Sequence, residues 1–178
     1  MSSSTPDAPA VDLQALWNYG DPAASEARFI ALLPEAESSS EPDARRWVGS
    51  LCNNLGWSHR DAGEFEQALA VFERGVAWQA EHQRQKELQI AKWTVGRTLR
   101  SLGRFDQALA AQRALAEEGK ALGLADDGYG EEEQAECLLA LGLPEEAKPH
   151  FARAVTLLEG QLADDPERLG RLKSHGGL

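Results

Sequence analysis

Four histidines, two cysteines and a large set of carboxylates are the side chains here that could carry chemistry, and their spacing argues against most of it. His59, His82, His150 and His175 stand apart from one another, and no Cys/His zinc spacing occurs. Neither a Gly-rich phosphate loop nor a Gly-x-Ser-x-Gly turn is present. Cys52 and Cys137 lie far apart with no base suggested beside either, so a thiol nucleophile is not expected. Both read as small, buried, free apolar residues of a reducing cytosol. His59, Asp61 and Glu64 are close because they flank a turn, and His59 reads as a packed, hydrogen-bonded histidine. Arg97 and Arg100 are one helical turn apart, which suits a bidentate grip on a ligand acid. They could equally pair with Glu132, Glu133 or Glu136 further along. The expectation is therefore no enzyme, no cofactor and no metal.

The elements that position these groups are helical. The chain has 178 residues, one domain's worth, and 42% of them are apolar, as in an ordinary globular protein. No apolar run approaches the ~18 residues of a membrane span, and Met1–Asp7 lacks the pattern of a secretory signal. A net charge of −11 argues against nucleic acid, whose phosphates need a basic face. That charge is uneven: −8 over residues 1–83, +4 over 84–120, −10 over 126–167 and +3 over 168–178. Such blocks read either as solvated helix surfaces or as signed sub-sites of a groove that steers a ligand. The 13 arginines against five lysines suggest a GC-rich bacterial gene.

Residues 1–10, rich in Ser, Thr, Pro and Ala, are expected to form a disordered tail. Helical spacing follows at Val11, Leu13, Leu16 and Trp17, and Asp21-Pro22 reads as an N-cap and first helical residue. A second helix is expected to run until Pro34. From Pro42 to Asp165 the periodicity is helical throughout, with breaks at Gly63, Gly103, 123–128 and Gly142. Asp165-Pro166 repeats the start signal, so 166–173 is expected to be a short terminal helix ended by Gly176-Gly177. Glu131-Glu132-Glu133 is expected in the first turn of a helix, where negative charge suits the dipole.

An internal repeat organises this series. Gly63-Glu64-Phe65-Glu66-Gln67-Ala68-Leu69-Ala70 returns as Gly103-Arg104-Phe105-Asp106-Gln107-Ala108-Leu109-Ala110, and then as Gly142-Leu143-Pro144-Glu145-Glu146-Ala147. A small residue precedes each unit at Gly56, Gly96 and Ala135, allowing two helices to approach closely. One hairpin cannot bury its apolar face alone, so the hairpins must stack.

With these residues the chain resembles the tetratricopeptide repeat (TPR) family. Leu55, Gly56, Gly63, Phe65, Ala68 and Phe72 match in the first repeat, Gly96, Gly103, Phe105 and Ala108 in the second, and Gly142, Ala147, Phe151 and Ala154 in the third. His59, Gln112 and Pro144 depart from the family pattern. The common period of the family is about 34 residues. The spacing here is similar to a longer variant of about 40 residues, found in bacterial transcription activators of the maltose-regulator type and in LGN-type polarity scaffolds. The resemblance spans residues 45–160.

It implies an all-α, right-handed superhelical solenoid of antiparallel helix hairpins. The expected division is a tail at 1–10, a capping hairpin at 11–40, repeats at 45–84, 85–124 and 125–162, and a C-terminal cap at 163–178. It also implies a concave groove lined by the first helix of each hairpin. Alignment puts Asn53, Asn54, Trp57 and Arg60 there in the first repeat, Trp93, Arg97 and Arg100 in the second, and Tyr129, Glu132 and Glu136 in the third. Trp, Tyr and Arg are frequent binding anchors, although Trp57, Trp93 and Trp17 could equally be packing residues. The family's basic clamp for chaperone tails is missing, because Asn53, Trp57, Tyr129 and Glu133 occupy its positions. The expected function is capture of an unknown protein or peptide, about five to eight extended residues long at roughly 3.3 Å each, in a bacterial cytoplasm. The alternatives are a self-associating homo-oligomer that uses Leu157, Leu158 and Leu162 if the 166–173 helix does not cover them, and a small acidic accessory chaperone.

Overall fold

The computed structural model describes residues 22–38 and 47–178. Among the described residues there are eight helices and no strand: α1 Pro22–Ser38, α2 Val48–Asp61, α3 Phe65–Glu81, α4 Gln85–Ser101, α5 Phe105–Ala121, α6 Gly128–Ala140, α7 Pro144–Leu158 and α8 Pro166–Gly176. Each packs on the next in chain order, as expected of an all-α solenoid of stacked hairpins. The expected 1–10 tail, the helix around Val11–Trp17 and the Asp21 cap lie outside the described residues.

The hairpins are α2/α3, α4/α5 and α6/α7. Their close approach follows from small residues. Ala68, Ala108 and Ala147 are almost fully buried, and Gly56 lies against the Phe72 ring. The turns after α2, α4 and α6 share one construction. Gly63, Gly103 and Gly142 adopt φ of 78°, 73° and 76°, a left-handed conformation in which a side chain is strained. The residue after each glycine donates back to the helix: Glu64 to the His59 carbonyl at 2.8 Å, Arg104 to Leu99 at 3.0 Å, and Leu143 to Leu138 at 2.9 Å.

The turn between α3 and α4 has the same hydrogen bonds without a glycine. Arg84 donates to the Gln79 carbonyl at 3.0 Å, and Gln83 takes φ 54°. A side chain in this conformation costs about 1 kcal/mol. Gln83→Gly should therefore stabilise the protein by about 0.5 kcal/mol after the greater freedom of the unfolded glycine is subtracted. A higher urea midpoint with unchanged slope would show it, and a lower one would refute it.

Apolar packing gathers at the two ends. Phe29, Leu33, Val48, Leu51 and Leu55 join α1 to the first hairpin. Phe151, Leu158, Leu162 and Leu172 form the opposite core with Leu138. The middle hairpin buries Leu88, Ala108 and Leu109 together with polar side chains: Thr94, Thr98 and Gln112 are all almost fully enclosed. Thr98 donates to the Thr94 carbonyl at 2.8 Å, and Gln112 Nε2 donates to the Trp93 carbonyl at 3.2 Å.

Three expectations are corrected. α1 does not stop at Pro34 but passes through it to Ser38, because Phe29, Leu33 and Ala36 all bury one face of the same helix. Past Pro34, Ser38 Oγ donates to the Pro34 carbonyl at 2.9 Å. The terminal helix runs to Gly176 rather than 173, capped at its start by Asp165, whose side chain accepts from Arg168 N at 3.1 Å. Of the three leucines named for self-association, Leu158 and Leu162 are 1% and 4% exposed and share one core with Leu172 of this helix, while Leu157 is half-buried. Finally, only Glu131 falls in the first turn of α6, because the helix starts at Gly128. Glu132 and Glu133 are one turn further on and buried.

Candidate functional site

The first helices of successive hairpins, α2, α4 and α6, touch side by side and approach more closely than the second helices do. The first helices therefore share one face of the stack. The residues expected in a groove lie on these helices, but they divide into a spent part and an unspent part.

The spent part is a ladder of ion pairs. Glu133 of α6 has a side chain only 3% exposed and receives two arginines of α4. Arg97 Nη1 approaches at 3.2 Å, Arg100 Nε at 2.7 Å and Arg100 Nη2 at 3.1 Å. Glu132 accepts from Arg168 and Arg171 of α8 at 3.1 Å each, and Arg171 also pairs with Glu136. Tyr129 Oη donates to Gln161 Oε1 at 3.2 Å, with the Arg168 guanidinium 5.5 Å from its ring centre. The acidic end of the expected groove is thus satisfied from within. The pairing of Arg97 and Arg100 with Glu133 is one of the two expected alternatives, whereas Arg168 and Arg171 are unexpected here. A signal was present, because Glu132 and Arg168 are 36 residues apart, as are Arg97 and Glu133.

The unspent part belongs to α2 and the near end of α4. Arg60 forms no ion pair among the described residues, and its Nη1 is enclosed without a hydrogen-bond partner. Burial, and after it the nearby Arg97, pushes the Arg60 guanidinium below its ordinary value. Arg100 is also drawn down by burial, but the Glu133 hydrogen bond and charge outweigh this and hold it above its usual value. Arg97 Nε and Trp93 Nε1 are enclosed donors without partners as well. Arg60 lies over Trp57 at 4.9 Å and Arg97 over Trp93 at 5.1 Å, two cation–π stacks on neighbouring helices. Trp57 meets Phe72 edge-on at 5.9 Å, and Trp93 meets Tyr129 edge-on at 6.3 Å, so both indoles pack as well as face outward. Asn53 and Asn54 line a cleft of about 220 Å³ between α2, α3 and α4, with Ile90 on its far wall. Ile90 is 53% exposed, and the buried Gln79 Oε1 lacks a partner.

Outside this face, His59 is buried, and its Nδ1 lies 2.7 Å from Glu64 Oε2 and 3.6 Å from Glu26 Oε1. Glu26 had no part in the sequence reading. Both cysteines are free and buried. Burial chiefly pushes each thiol from the ordinary 9.0 up to about 11. A raised folded value means that the protonated thiol favours the folded state. Its contribution is whole below about pH 9 and is lost as the pH climbs through about 11. Stability should therefore fall across that window, and less so in a Cys52→Ala/Cys137→Ala variant. Ellman's reagent at pH 8 should label neither thiol until urea unfolds the chain. Rapid labelling of the native protein would contradict this.

A stack of two-helix units joined by left-handed turns defines a helical-repeat solenoid. Residues 48–77, covering α2 and most of α3, match the family model of the tetratricopeptide repeat, which supports the resemblance of the chain to that family. Repeats of this family are protein–protein interaction modules, in general non-catalytic. No curated protein and no solved structure matches the chain. Among the described residues no helix is long and apolar enough to cross a membrane.

Proposed function

We propose that the shared face of α2 and α4 captures a segment of a protein partner. The observation that carries this reading is the unspent hydrogen-bonding capacity there: Arg60 Nη1, Arg97 Nε and Trp93 Nε1 are enclosed donors without partners, beside a cleft lined by Asn53 and Asn54. Leaving such donors unmatched is costly, and a ligand that supplies acceptors recovers that cost once these side chains turn toward it. Asn53 and Asn54 would hold backbone amides through paired donor and acceptor groups. Ile90 and the exposed parts of Trp57 and Trp93 would contact an apolar residue, and Arg60 with Arg97 would meet an acidic one. Arg100, Glu132 and Glu136 would support this face from within rather than touch the ligand. The reading extends to a bacterial protein of the long-period type, on the 40- and 39-residue spacing of the repeat glycines, and to the cytoplasm, where two free thiols persist.

The experiment is affinity capture from lysate of the source organism, followed by binding of the recovered partner to Asn53→Ala and Arg60→Ala. These two changes leave the ion-pair ladder and the Trp57–Phe72 contact intact. Each should weaken binding by about tenfold, on the order of 1.4 kcal/mol. Unchanged affinity in both variants would move the interaction away from this face.

A further inference from the structure

The turn after α2 departs from its counterparts in one respect. Its backbone hydrogen bonds are those of the other two turns, but Leu99 and Leu138 stand where it has His59, and Arg104 and Leu143 where it has Glu64. The turn itself therefore requires neither group. Glu26 joins them from α1, a separate element that rests on α2. One ligand-type atom from each of the three lies within 4.8 Å of the others.

The charge of this trio is unbalanced. Neither the Glu26 nor the Glu64 carboxylate has another hydrogen-bond or ion-pair partner among the described residues. Two negative charges thus converge on one imidazole that is only 9% exposed. A divalent cation would neutralise them. One imidazole nitrogen with two carboxylate oxygens is a donor set for first-row divalent transition metals, rather than for calcium or magnesium, which favour all-oxygen shells. Metal–ligand distances near 2.0–2.2 Å place ligand atoms about 3–4 Å apart. The Glu64 oxygen, now 2.7 Å from the imidazole, would back away by up to about 1 Å, and atoms as far as 4.8 Å apart would close by about 1–2 Å. The two carboxylate side chains, 26% and 44% exposed, are free to do so.

We propose that Glu26, His59 and Glu64 form a site for a first-row divalent transition metal that clamps α1 onto the first hairpin. Water would complete the coordination. Without the ion α1 is held by the apolar contacts of Phe29, Leu33 and Ala36 and by the Arg74–Glu37 pair. With it, three separate segments would be tied at one point, and ligand binding of this kind stabilises the folded state by mass action.

The test uses the full chain stripped of metal with EDTA and titrated with zinc chloride by calorimetry. His59→Leu installs the residue that the other two hairpins carry, so it should fold. Glu26→Gln and Glu64→Gln keep side-chain size. His150→Gln is the control, because His150 also faces a glutamate, Glu131, at 2.6 Å, but Arg153 already pairs with that carboxylate at 3.2 Å. The expected result is one zinc per chain bound more tightly than about 100 µM. Affinity should drop at least about tenfold in each of the three variants and stay unchanged in the control. Zinc should also slow amide exchange in α1 of the parent chain but not of Glu26→Gln. Affinity weaker than about 100 µM, or equal affinity in parent and variants, would overturn the proposal.

Discussion

Gly56→Ala should destabilise the protein by about 2–3 kcal/mol, while the same change at the equivalent Gly96 should cost about 1 kcal/mol or less. A methyl group at Gly56 would meet the Phe72 ring, with Cδ1 and Cζ each at 2.7 Å. That ring is 2% exposed and held edge-on by Trp57, so it has nowhere to turn. At Gly96 the nearest atom is Gln112 Nε2 at 2.5 Å, the end of a side chain with three rotatable bonds. Gln112 can yield by giving up its 3.2 Å bond to the Trp93 carbonyl. In both helices alanine recovers about 1 kcal/mol of helix propensity, which offsets most of the smaller loss and little of the larger one. Urea unfolding followed by tryptophan fluorescence would rank the two. Equal losses would mean that the hairpins are not held by the close contact described.

Glu133→Ala should cost about 2–3 kcal/mol, a lowering of the unfolding midpoint by roughly 4–10 °C in a chain of this size. The carboxylate is 3% exposed and stands between Arg97 and Arg100, with Arg60 close enough to feel its charge. Its removal leaves three neighbouring guanidiniums without the carboxylate that two of them bond, and with only the weaker influence of Asp61 and Glu136. The arginines are about 30% exposed, so solvent softens the penalty below that of a fully enclosed pair. Glu133→Gln, which keeps an acceptor, should lose less. The electrostatic origin has its own signature: salt should restore part of the stability of Glu133→Ala, because it screens the arginine repulsion, while affecting the parent chain less. A loss that did not respond to salt would point to packing instead.

Much of the fold is legible where backbone geometry demands a residue type. Gly63, Gly103 and Gly142 are visible because the left-handed turns favour glycine, and the paired alanines are visible because the helices nearly touch. The turn at Gln83 is not visible, since a strained glutamine leaves no mark in a residue string. The passage of α1 through Pro34 is hidden too, because burial of Phe29, Leu33 and Ala36 on α2 overrides a local breaker. In the candidate site, the identity of the first-helix residues follows from the repeat. Their state does not, because a charge belongs to whichever neighbour reaches it. Glu132 and Glu136 read as ligand-facing until α8 brings Arg168 and Arg171, and α8 lies outside the repeat that supplied the alignment. Glu26 meets His59 only through the packing of α1, which no spacing rule encodes.

The ion-pair ladder also bears on how many hairpins the array can hold. Its sign alternates from helix to helix: cationic on α4, anionic on α6, cationic on α8. A duplication of the α4–α5 unit, in which a gene slips by one period, would set one copy of Arg97 and Arg100 against another, with Glu133 left for only one of them. The inserted hairpin could keep every glycine and alanine of the repeat and still meet repulsion at its new joint. A duplicated unit would thus carry a charge penalty at its new joint, separate from the shape rules that make the hairpins stackable.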